Sequence, residues 1–142
     1  MVPVNYLAIL ASAVVAIIIG GIWFGPLFGK SWMKMMGMDK MSPEEMTEGK
    51  KKMPMLYGIQ FVGALVMAFV LSHSLVFASA YLNESGIAAG LMSGFWNWLG
   101  FIAPVTIGVV LWEGKPWKLW AIIAGNWLVT LCAMGVILSL WQ

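Results

Sequence analysis

Three clusters of charge divide the chain into four long apolar runs. Every charged side chain falls within residues 30–52, at Glu84, or within residues 113–118. The stretches left without charge are 1–29, 53–83, 85–112 and 119–142. A helix rising about 1.5 Å per residue needs about 20 apolar residues to cross a hydrocarbon layer of about 30 Å. Each stretch suffices for one crossing and none for two. The pattern predicts an all-α fold, an integral membrane four-helix bundle forming a single domain over residues 1–142, with helices at about 4–24, 55–82, 86–112 and 117–141 and a polar loop at 30–53.

The polar segments carry the punctuation. Gly25-Pro26 ends the first helix, because proline cannot donate to the preceding turn. Ser42-Pro43-Glu44-Glu45 reads as a helix start, with Ser42 as cap, Pro43 in the first helical position and Glu45 where a capping box needs it. Acids lead this segment and Lys50, Lys51 and Lys52 close it, as the helix dipole favours. The expectation is a short interfacial cytoplasmic helix over residues 42–52, between helices one and two, with Pro54 opening helix two. Pro104 predicts a kink in helix three, and Glu113-Gly114-Lys115-Pro116 a tight turn. Gly29-Lys30-Ser31-Trp32 and Gly114-Lys115-Pro116-Trp117 form a faint internal repeat, each after a helix running in the same direction. It fits two helix hairpins related by an axis along the membrane normal, and it equally fits the ordinary use of Lys and Trp at a membrane boundary.

Composition strengthens the membrane reading and adds an orientation. The chain is 61% hydrophobic and 10% charged, whereas a soluble domain is about half apolar and about a quarter charged. All eight basic residues are lysines in the first and third loops. Lysine-rich short loops stay in the cytoplasm, so the expected place is the bacterial inner (cytoplasmic) membrane with both termini outside the cytoplasm. No lysine precedes the first apolar run, which therefore reads as a retained helix and not as a signal peptide. A net charge of +2 follows from loop retention; the partners it suggests are membrane lipid headgroups, not nucleic acid. Trp23, Trp32, Tyr57, Trp112, Trp117 and Trp120 would form an inner aromatic belt, with Tyr6, Tyr81 and Trp141 at the outer face. The single cysteine, Cys132, can form no disulfide within the chain.

Small residues recur at four-residue spacing: Ala8, Ser12, Ala16 and Gly20; Ala64, Ala68 and Ser72; Gly86, Gly90 and Gly94; Ala121 and Gly125. Such stripes let helices approach closely in lipid. That of Gly86, Gly90 and Gly94 serves either packing within the bundle or the interface of a homo-oligomer.

The uncharged polar residues sort by depth. At about 1.5 Å per residue, Gln60 and Asn126 each lie about 12 Å beyond their last lysine and Thr106 about 10 Å from Glu113. These three would form an inner polar layer, and Ser12, Asn97 and His73 an outer one. A buried amide in hydrocarbon is costly unless paired, so both layers should face protein or water. They act either as hydrogen-bonded glue between helices or as a pathway or ligand site.

His73 is the only histidine, and no acid stands near it except Glu84, so no catalytic set is expected and the chain reads as no enzyme. No spacing of metal ligands occurs, and neither a metal nor a cofactor is expected. Eight of the twelve methionines lie between Met33 and Met55. Thioethers can hold Cu(I), but without Cys or His among them this run better suits one face of an interfacial helix.

Asn5-Tyr6-Leu7-Ala8, the segment Gly21 to Trp32 and the run Pro104 to Leu119 are similar to a family of small bacterial membrane proteins, the domain of unknown function seventeen sixty-one. The resemblance covers essentially the whole chain. It implies four membrane helices and carries no functional residues with it. The functional expectation therefore rests on the polar layers: a homo-oligomer that passes or binds a small solute or ion. The alternative is a structural or accessory membrane protein without transport.

Overall fold

A computed structural model describes residues 2–141 as five helices: α1 (Tyr6–Leu27), α2 (Gly29–Met35), α3 (Pro43–Leu82), α4 (Gly86–Leu111) and α5 (Trp117–Leu140). A single 3-10 turn, Met38–Lys40, stands between α2 and α3. By length and composition α1, α3, α4 and α5 can each cross a membrane. The connections place every lysine at one end of the bundle, here the lysine-bearing end.

The bundle is closed by small side chains. Ala8, Ser12, Ala13 and Ala16 of α1 and Ala64, Ala68 and Ser72 of α3 are buried. The most extensive helix pair is α4 with α5, and it is a glycine contact. A Cβ on Gly90 would strike the Gly135 carbonyl and one on Gly135 the Gly90 carbonyl, while one on Gly94 would lie 2.5 Å from the Leu131 carbonyl oxygen. Gly90 and Gly94 thus face α5 of the same chain. Gly86 does not join them. It opens α4 at φ 73°, with open space at its Cβ position, so it is a glycine for backbone reasons.

The expected short helix over 42–52 is corrected. Ser42 does cap a helix: its Oγ accepts from the Glu45 N–H at 3.2 Å, and the Ser42 N–H donates to the Glu45 carboxylate at 2.7 Å. That helix continues through Pro54 without a break to Leu82, 40 residues or about 60 Å. Pro54 deprives the Lys50 carbonyl of its usual donor, but this turn is exposed, and water can serve instead. The short helix between the first two spans is α2, inside the stretch expected to be a polar loop.

Two of the long helices contain a π turn, at Trp23–Leu27 in α1 and Trp98–Ile102 in α4. Proline explains both. Pro26 lies in the first and Pro104 just beyond the second, and a residue without N–H cannot close the ordinary four-residue bond. At the first, the Phe28 N–H reaches back five residues to the Trp23 carbonyl, 2.9 Å. The chain then turns into α2 through Gly29, where a Cβ would lie 2.6 Å from the Phe24 carbonyl oxygen. Each π turn begins with a tryptophan that grips α5. Trp23 Nε1 donates to the Ile122 carbonyl at 2.8 Å, and Trp98 Nε1 to the Ala124 carbonyl at 2.7 Å. The likeness between the two halves therefore lies in Trp23-Phe24-Gly25 and Trp98-Leu99-Gly100. The Gly-Lys-x-Trp pair does not carry it, since residues 29–32 are helical whereas Gly114 occupies a turn at φ 66°.

Candidate functional site

Toward the lysine-bearing end the bundle opens. Every residue of α3 from Met53 to Gln60 is exposed, so α3 departs from its neighbours there, and on α1 Gly20 and Gly21 offer no side chain to fill the gap. The space left is a cavity of about 460 Å³. Ala16, Gly20, Gly21 and Phe24 of α1 form one wall, and Met53, Tyr57, Gln60 and Ala64 of α3 face them. Trp32 and Met33 of α2, with Met38 beyond it, close the lysine-bearing side, and Asn126 and Trp127 of α5 form the back. No Lys, Arg, Asp, Glu or His lines it.

Two amides set its chemistry. Asn126 is 4% exposed, and its Oδ1 is buried with no hydrogen-bond partner among the described residues, Gln60 included. Gln60 stands on the open side. A buried carbonyl oxygen left unmet costs free energy comparable to a lost hydrogen bond, so Asn126 is held in the cavity wall at a cost to the fold. One turn farther from the lysine-bearing end, Ser12 on α1 and Thr130 on α5 are buried at 0% and 1% exposure, also with unpartnered hydroxyls. Ala8 and Met134, a further turn along, are fully buried. The cavity is a dead end within one chain.

The other polar candidates stand elsewhere. Thr106 does not join Gln60 and Asn126: its hydroxyl donates to the Ile102 carbonyl at 2.7 Å and accepts from Trp120 Nε1 at 3.2 Å. Asn97 Nδ2 donates to the Ser93 carbonyl at 2.8 Å and to Ser74 Oγ at 3.3 Å, which ties α4 to α3. His73 Nδ1 lies 2.8 Å from the Phe69 carbonyl oxygen one turn back, with its ring 4.4 Å from that of Phe69. Of the expected inner aromatic belt, Trp112 is 87% exposed while Trp23 and Trp120 turn inward to bond carbonyls.

Sequence reasoning missed the contribution of the methionine run to this cavity. Sequence pattern alone assigns Met33 and Met38 to an interfacial helix face and Trp32 to the membrane boundary. The signal available was their position directly after a Gly-Pro break, which folds that segment back beneath α1.

No curated protein and no solved structure matches the chain. One family model does, described as "Protein of unknown function (DUF1761)", and it spans residues 7–139. That span includes both π turns, the glycine contact of α4 with α5 and every residue that lines the cavity. The chain belongs to the DUF1761 family.

Proposed function

We propose that this protein binds a small solute in the cavity between α1, α2, α3 and α5, within the lysine-bearing half of a bacterial cytoplasmic membrane. The observation that carries the reading is the Asn126 amide, its oxygen buried yet unpartnered, set with Gln60 in the wall of one apolar space. A residue kept for packing alone would be more stable as Leu or be paired, as Asn97 is. The dead end beyond Asn126 favours binding over passage by a single chain, and passage would need a second copy or a rearrangement of α1 against α5. In this reading the lysine-bearing end faces the cytoplasm.

An accessory or structural role is the second reading. It is favoured by the hydrogen bonds that tie Asn97 to Ser74 and Thr106 to Trp120, since these polar side chains serve to join helices.

Native mass spectrometry of the protein extracted from bacterial membranes separates the two. Gly21 lines the cavity and its Cβ position is open, so Gly21→Phe fills the space without striking a neighbouring helix. A small-molecule adduct on the wild-type chain that Gly21→Phe lacks is the expected result. Identical spectra for the two, with both folded, favour the accessory reading. The same spectra report whether the chain associates with copies of itself.

A further inference from the structure

Three features of the cavity point to one class of occupant. The first is the direction of entry. Every α3 residue from Met53 to Gln60 is exposed, and so is Gly21 on the facing wall. With α2 across the lysine-bearing side and α5 at the back, the space is entered sideways between α1 and α3, from the hydrocarbon of the membrane. The second is depth and surface. On α3 the lining runs from Met53, next to Lys52, to Ala64, roughly 16 Å along the helix. One leaflet is half of a hydrocarbon core of about 30 Å, so the cavity has the depth of one acyl chain. No Lys, Arg, Asp, Glu or His lines it, and a charge brought inside would lose its hydration without a counter-ion. Asn126 Oδ1 is enclosed by protein and makes no demand on the occupant. Met33, Met38 and Met53 add flexible thioethers, which mould to an irregular chain.

The third is charge at the mouth. Met53, Tyr57, Gln60 and Ala64 recur every three or four residues and form one face of α3. Lys50, three residues before Met53, continues that face toward the lysine-bearing end. Lys51 falls on the opposite face, where it pairs with Glu48 at 3.4 Å, whereas Lys50 has no ion pair among the described residues. At this end of the molecule eight lysines stand against five acids. An anion near Lys50 therefore meets a positive field and an unpaired ammonium.

We propose that the cavity seats one acyl chain of an anionic phospholipid from the lysine-bearing leaflet, with the lipid phosphate at Lys50. The other chain remains in the bilayer beside α3. This inference rests on the reading that the cavity binds a small molecule, and it names the class of that molecule.

The test is native mass spectrometry of the full chain in detergent, titrated with palmitoyl-oleoyl phosphatidylglycerol or with phosphatidylcholine of the same chains. Saturable binding of one phosphatidylglycerol is expected, about fivefold or more tighter than phosphatidylcholine, the worth of one lysine beside an anionic lipid. Lys50→Gln should remove most of that preference, and Lys51→Gln should keep it. Gly21→Phe should abolish the saturable lipid. Gly20→Leu, which also lines the cavity at an open Cβ position, should do the same and serves if Gly21→Phe fails to fold. Equal binding of the two lipids, or a preference lost as fully in Lys51→Gln as in Lys50→Gln, overturns the assignment. So does phosphatidylglycerol binding that survives the cavity-filling variants, which would put the lipid on surface lysines outside the cavity. If neither lipid binds while the chain extracted from membranes retains another adduct that Gly21→Phe lacks, the lipid class is wrong and solute binding stands.

Discussion

Asn126 shows how one residue can be a liability for stability and an asset for binding. Its neighbours along the same face of α5, Ile122 and Thr130, are buried with it, so the amide is held in place with no route to solvent except the cavity. Removal of an unsatisfied buried acceptor recovers the cost of desolvating it, about 1–3 kcal/mol. Asn126→Leu is therefore expected to raise the stability of the ligand-free protein by about 1 kcal/mol, read as a higher midpoint of thermal unfolding in detergent. A lower midpoint would mean that the amide bonds within the chain. Ser12 and Thr130 carry orphan hydroxyls of the same kind, but neither lines the cavity.

Among the elements, the pair α4 and α5 is the tightest, and its energetics are those of membrane helices, where close backbone approach replaces the hydrophobic effect. Gly90 and Gly135 each occupy the space in which the other would need a Cβ. Gly135→Ala is expected to destabilise the fold by about 1–3 kcal/mol through overpacking against rigid backbone. Gly20→Ala, whose Cβ meets nothing within 4 Å, should be neutral or slightly stabilising through helix propensity. Unfolding in a denaturing detergent series measures both, and equal effects would show that α4 and α5 do not meet through glycine. The two π turns act at this scale too. Each proline displaces a helical bond, and each tryptophan ahead of it then fastens its helix to a carbonyl of α5, so the kinks are clamped.

For the whole molecule, the asymmetry between the two ends is the dominant feature. All the charges but Glu84 gather at the lysine-bearing end, α3 leaves the bundle there and the cavity opens there. A reporter active only in the cytoplasm should be silent when fused after residue 142 and active when inserted between Lys40 and Ser42, because lysine-rich loops are retained inside. Activity in the opposite pattern would invert the topology and place the cavity in the outer half of the membrane.

The number of membrane helices and their alternation were legible in the sequence, because insertion depends on sums over about 20 contiguous residues and on where charge falls. The cap at Ser42 was legible for a similar reason, since both partners lie within four residues. The continuation of α3 through Pro54 was not, because it depends on whether the orphaned carbonyl finds water, and that is set by exposure. The partner of the α4 glycines was not legible either: a second copy and α5 offer the same small, apolar surface, and only the chain's own packing chose α5. Gln60 and Asn126 could be matched in depth from their lysines, but depth does not say which way a side chain turns. Thr106 shares that depth and commits its hydroxyl to Trp120. What tertiary structure alone decided was the cavity, since it is made by the parting of α3 from α1 and by residues from four separate helices, and no local term in the sequence encodes an empty space between them.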